Sequence, residues 1–136
     1  MFGKKTSKPQ NRIDSLIGAG TKIEGNVSFS GGLRVDGEIQ GNVSAVTDQP
    51  STLVLSEQAR IDGEIKVSHL VVNGAINGPV WASEFLELQP RSRVTGDVHY
   101  STIEMHLGAI VEGRLVHSVS ENKTVELKLA ASKVGN

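Results

Sequence analysis

The chain has 136 residues, a formal net charge of −1, 38% hydrophobic residues, only five aromatics and no cysteine. That length fits one domain, and the charge balance argues against a nucleic-acid binder with a broad basic face. Disulfides and thiolate metal sites are excluded, and no apolar run reaches the roughly 18 residues of a membrane span or forms a signal peptide, so a soluble intracellular protein is expected.

Residues 1–13 hold Lys4, Lys5, Lys8 and Arg12 with no acid, whereas the rest of the chain carries ten basic residues against fifteen acidic ones. Charge is segregated into a basic arm on an acidic body. Met1 and Phe2 are apolar groups beside Gly3, Lys4 and Lys5, a minimal anchor for an anionic membrane surface, where each lysine contributes about 1 kcal/mol. Gly3 is not placed for N-myristoylation, which needs glycine directly after the initiator methionine. Apart from that anchor, the arm is expected to be disordered.

A repeat occupies residues 14–117. The pattern apolar-x-Gly-x-apolar occurs six times, centred on Gly25, Gly41, Gly63, Gly78, Gly96 and Gly113, at intervals of 16, 22, 15, 18 and 17 residues. The longest interval contains Val46-Thr47-Asp48-Gln49-Pro50, a turn-rich insertion. Two residues past each pattern lie Phe29, Ala45, Val67, Ala82, Tyr100 and His117. Each copy is expected to open on an aliphatic residue, namely Leu16, Leu33, Leu53, Leu70, Leu86 and Ile103. Another apolar residue follows two positions later in every copy but the first, where Gly18 stands. Apolar residues at every second position are strand spacing, and Gly, Asn, Ser, Asp and Pro between the bursts turn corners.

A period near 17–18 residues fits one coil of a triangular β-solenoid with three short sides, each coil pairing in parallel with the next about 4.8 Å away. An antiparallel β-sandwich would have no reason to repeat one motif at a near-constant interval. The expectation is an all-β single-domain parallel β-helix of about six coils, with Val27, Val43, Ile65, Val80, Val98 and Leu115 forming one inward column. Residues 118–136 read as a flexible tail. Within it Val125-Glu126-Leu127-Lys128-Leu129 could supply a strand that caps one end of the solenoid.

The repeat and the opening Met1-Phe2-Gly3-Lys4-Lys5 resemble a bactofilin. The resemblance rests on Ser15-Leu16-Ile17-Gly18-Ala19-Gly20-Thr21-Lys22-Ile23-Glu24-Gly25-Asn26-Val27 and on Val35-Asp36-Gly37-Glu38-Ile39 and Ile61-Asp62-Gly63-Glu64-Ile65. It implies a right-handed β-helix between flexible tails and a bacterial cytoskeletal scaffold. Such scaffolds assemble end to end into non-polar filaments without nucleotide or other cofactor, peripherally on the cytoplasmic face of the inner membrane. They support cell shape, or place appendages and proteins of cell-wall synthesis or hydrolysis. The family often uses a phenylalanine of the final coil in assembly; here that stretch is Leu115-Val116-His117.

Bare strand layers at both ends of a solenoid are templates for another chain. The candidate polymerisation surfaces are Leu16, Ile17, Ile23, Val27 and Phe29 in the first coil, with Ile103, Met105, Ile110, Val111, Leu115 and Val116 in the last. No catalytic, cofactor or metal site is expected. His69, His99, His106 and His117 form no i, i+4 pair, and Asp62, Glu64, Asp97 and Glu112 fall between apolar positions as outward solubilising groups. No phosphate-binding loop or nucleophile elbow is present. The competing enzymatic reading is a left-handed β-helix acyltransferase, whose regular hexapeptide run is not maintained here. Trp81 points outward by alternation and is left open between a partner contact and packing on a neighbour.

Overall fold

The computed structural model describes residues 13–46 and 49–118, all of them in strands, turns or connecting segments. The first coil contains β1 (Ser15–Ile17), β2 (Lys22–Glu24) and β3 (Val27–Phe29), and the second β4 (Gly31–Val35), β5 (Glu38–Gln40) and β6 (Val43–Ala45). The third coil has β7 (Ser51–Leu55), β8 (Arg60–Asp62) and the start of β9 (Ile65–Val72), which bends into the fourth. There it is followed by β10 (Ala75–Asn77) and the start of β11 (Val80–Leu88), which bends in turn into the fifth. The fifth continues with β12 (Arg93–Thr95) and β13 (Val98–Tyr100), and the sixth holds β14 (Ile103–Met105), β15 (Ile110–Glu112) and β16 (Leu115–His117).

Every strand pairing is parallel, and each joins one coil to the next. The result is a six-coil β-solenoid with three sides. Register places like on like: Ile23, Ile39, Ile61, Ile76, Val94 and Val111 are consecutive partners. So are Val27, Val43, Ile65, Val80, Val98 and Leu115. The third side stacks Leu33, Leu53, Leu70, Leu86 and Ile103. These columns meet on the axis as one aliphatic core, fully buried in the four middle coils.

The first coil departs from expectation by one residue. Ser15 pairs with Leu33 and Ile17 with Val35, so Leu16 stands opposite Arg34 on the outer surface, 60% exposed. A one-residue slip exchanges the faces of a strand; Ile17, not Gly18, supplies the second inward position, and Ser15 takes the place assigned to Leu16.

The uneven repeat intervals follow chiefly from the corner after the first side of each coil, with a one-residue variation at the corner after the third side. Four-residue turns close at Gly18–Thr21, Ser56–Ala59, Gln89–Ser92 and His106–Ala109 through backbone hydrogen bonds of 3.0, 3.0, 2.9 and 3.2 Å. The second and fourth coils have the shorter corners Asp36-Gly37 and Asn73-Gly74, and theirs are the intervals of 16 and 15 residues. The interval of 22 combines a long corner with the insertion between β6 and β7.

From the second coil onward the glycine of each repeat is a steric necessity, because it lies against the coil below. Gly63 has φ +156°, and a Cβ there would collide with the carbonyl of Gly41 one coil below; Gly41 stands in the same relation to Gly25. The residue after the glycine adds a second link. Asn26 Oδ1 accepts the Asn42 N–H at 2.9 Å, and Asn42 Oδ1 accepts that of Glu64 at 2.9 Å.

Gly63→Ala should therefore cost about 3–5 kcal/mol, combining backbone strain with a clash in the middle of the stack. Gly20→Ala, where an added methyl meets nothing within 4 Å, should change stability by less than about 1 kcal/mol. Urea unfolding of the two variants checks the contrast; equal effects would remove the steric account.

Candidate assembly surfaces

Each inner strand is hydrogen-bonded on both edges, but β1, β2 and β3 are bonded only toward the second coil, and β14, β15 and β16 only toward the fifth. Among the described residues nothing covers either outer edge. Unpaired backbone donors and acceptors therefore ring both ends of the rod, the arrangement that recruits further strands.

The side chains inside those rings repeat the message. Along the column that starts at Val27, burial is complete from Val43 to Val98, while Val27 is half-buried and Leu115 is 46% exposed. Its companion is buried from Ile39 to Val94 and half-exposed at Ile23 and Val111. Ile17 and Phe29 at one end, and Ile103 and Met105 at the other, are likewise inward positions with a neighbour on one side only. Apart from Ser15 in the first coil and His117 in the last, these inward side chains are apolar. Each end face offers apolar contact and strand pairing.

Three of the expected surface residues lie elsewhere. Leu16 is on the outer surface, as described above. Val116 pairs with His99 in the outward column of Trp81, and Ile110 pairs with Arg93 in the outward column of its side. All three flank an open edge without facing the axis. Conversely, Leu107, at the tip of the last corner and 95% exposed, was not recognised from the sequence, because it belongs to no alternating burst. The membrane-anchor residues Met1, Phe2, Gly3, Lys4 and Lys5, and the capping segment Val125-Glu126-Leu127-Lys128-Leu129, lie outside the described residues.

The sides of the rod are polar and locally paired. Arg114 bridges the last two coils, its guanidinium donating to Asp97 at 3.0 Å and its backbone N–H at 3.1 Å. These two bonds hold the Asp97 carboxyl below the ordinary carboxylate range, the side-chain bond being the larger cause. Asp36 is lowered in the same way, chiefly by the hydrogen bond from Arg34. Trp81 is packed and partnered. Its indole stacks on His99 with centroids 3.6 Å apart and 2° between planes, and its Nε1 donates to Glu64 at 2.9 Å. It also walls a surface cavity of about 560 Å³ beside the insertion, shared with Ala45, Val46, Lys66 and Val67.

Comparison with known proteins places this geometry. Residues 15–116, which are 102 of the 136, match the family model Bactofilin, described as polymer-forming cytoskeletal. Two proteins of Myxococcus xanthus (strain DK1622) are similar. Bactofilin BacO is 24% identical over 120 residues, covering 88% of this chain and 90% of BacO. Bactofilin BacP is 24% identical over 112 residues, covering 82% of this chain but 45% of BacP, so the chain spans less than half of that relative's length. No solved structure matches the chain.

In Arg114→Ala the Asp97 carboxyl should titrate at higher pH, toward its ordinary value, while Asp36 stays where it is. A depressed folded-state pKa stabilises the fold above the unfolded-state value, and the contribution is lost as pH falls through the folded one. The Arg114–Asp97 link between the last two coils should therefore weaken as pH falls below the ordinary carboxylate range. Carbon-detected NMR titration of the carboxylates reads both; an unmoved Asp97 would mean that Arg114 does not hold it.

Proposed function

The chain belongs to the bactofilin family of polymer-forming cytoskeletal proteins, and we propose from that premise that its solenoids stack end to end into filaments. The observation that carries the reading is the rise in exposure of every inward column at its two ends, together with one-sided strand pairing there. Another copy continues both at once: it supplies the missing hydrogen-bond partners and removes apolar side chains from water, at roughly 25 cal/mol per Å² buried.

Assembly of this kind is driven by surfaces already present in the chain, so it proceeds without nucleotide or cofactor. Like ends meet by a two-fold operation, which makes each junction self-complementary and the filament non-polar. The family description supports a cytoskeletal role rather than acyl transfer. We place the filament peripherally on the cytoplasmic face of the inner membrane, through Met1, Phe2 and Gly3 with the charges of Lys4 and Lys5. One such arm is weak, but many arms on one polymer gain avidity, so assembly and membrane binding reinforce each other. There the filament supports cell shape or localises cell-wall and appendage proteins.

Leu115→Arg and Phe29→Arg each put an unpaired charge into a junction, a cost of about 3–5 kcal/mol, and should abolish or shorten filaments in negative-stain microscopy without nucleotide. Val116→Arg, in an outward column, should assemble far better than Leu115→Arg. Normal filaments in both inward variants would overturn end-on stacking.

Deleting residues 1–5 should move the protein from the membrane fraction to the soluble fraction while leaving filaments intact. Unchanged fractionation would remove the anchor.

A further inference from the structure

In a solenoid, residues one coil apart are neighbours, so ligand sets can assemble at spacings that no local motif shows. Glu87 in β11 and Glu104 in β14 are direct register partners on adjacent parallel strands, side by side on the outer surface. Two residues beyond Glu104, the chain turns the last corner at His106. That corner is fixed by the His106 N–H on the Leu88 carbonyl at 2.9 Å and by the Ala109 N–H on the His106 carbonyl at 3.2 Å. The imidazole is thereby directed back onto both carboxylates: His106 Nε2 lies 2.9 Å from Glu87 Oε2 and 3.6 Å from Glu104 Oε2. One ligand atom from each of the three side chains lies within 4.8 Å of the others.

We propose that Glu87, Glu104 and His106 bind a divalent cation of the zinc class, which fastens the last coil to the one before it. Geometry is the first argument. Zinc bonds of about 2.0–2.2 Å in a tetrahedral shell put ligand atoms roughly 3.3–3.5 Å apart, and separations of 2.9 and 3.6 Å bracket that value. Electrostatics is the second. Two carboxylates directly opposite on neighbouring strands repel, and among the described residues no lysine or arginine forms an ion pair with either. The third is ligand chemistry: one imidazole with two carboxylates suits zinc and its transition-metal neighbours rather than magnesium, which prefers an all-oxygen shell rich in water. Gln89 Nε2 donates to the same Glu87 Oε2 at 3.4 Å and helps to orient the carboxylate, as outer-shell donors do. Glu104 and His106 keep an open side to solvent, with side-chain exposures of 57% and 37%, where water completes the shell. The site holds whether or not the chain polymerises. Because two of its ligands belong to the final coil, the cation secures the rung that forms one end of the rod.

Equilibrium dialysis of the full chain against ZnCl₂, with MgCl₂ as control, tests the assignment. One zinc per chain is expected, undiminished by tenfold excess magnesium, with a rise in thermal midpoint. His106→Ala and the near-isosteric Glu104→Gln should each weaken binding by about tenfold or more, while His99→Ala should leave it unchanged. Circular dichroism identifies which variants keep the fold, and Glu104→Gln keeps the test open should His106→Ala lose it. No saturable zinc binding up to 100-fold excess over the chain would overturn the site. So would undiminished binding in a folded His106→Ala or Glu104→Gln chain, or loss of binding in His99→Ala.

Discussion

Parallel pairing of each coil with the next is the constraint on which the rest of this structure depends. It satisfies the backbone groups of every inner strand on both edges, and it forces each residue to stand over the corresponding residue of the coil below. Once that register is set, the core can only be a set of columns, and the narrow axis between three sides accepts Val, Ile and Leu more readily than rings. The glycine column is the same constraint at a corner. Consecutive coils approach so closely at Gly41 and Gly63 that a methyl group would occupy the space of the carbonyl beneath it.

Stacking has two consequences of opposite sign on the outer surface. Asn26 and Asn42 gain from it, because an amide oxygen above one coil finds a backbone N–H of the next. Charges lose from it, because like would sit on like. On the second side the chain avoids this by alternation: Lys22, Glu38 and Arg60 are successive partners. Trp81 over His99 turns the same proximity into a ring stack. Glu87 beside Glu104 is the exception to alternation, and His106 is the side chain that meets it.

The ends are where the constraint is left unfinished. A closed barrel has no edge and a sandwich has short ones, but a solenoid has a full triangular layer at each terminus. Here those layers carry the same aliphatic columns as the interior. A second molecule stacked on either layer, as proposed above, would extend the same folding rule from one chain to the next, in keeping with a family described as polymer-forming.

The number of coils, the inward columns of coils two to six, the aliphatic core and the family were all legible in the sequence, because a repeated glycine flanked by β-branched residues marks register directly. The first coil was not: Leu16 and Ile17 are adjacent and both apolar, so alternation alone could not choose between them, and pairing with Leu33 and Val35 decided it. In the last coil alternation did choose, and Val111 and Leu115 face the axis while their neighbours Ile110 and Val116 face outward. The grouping of Glu87, Glu104 and His106 was beyond reach of any local motif, since its members are separated by 17 and 2 residues and meet only when one coil lies on another. Sequence periodicity determines which residues share a column; only the stacked backbone decides which face of the strand that column occupies and which neighbouring columns touch.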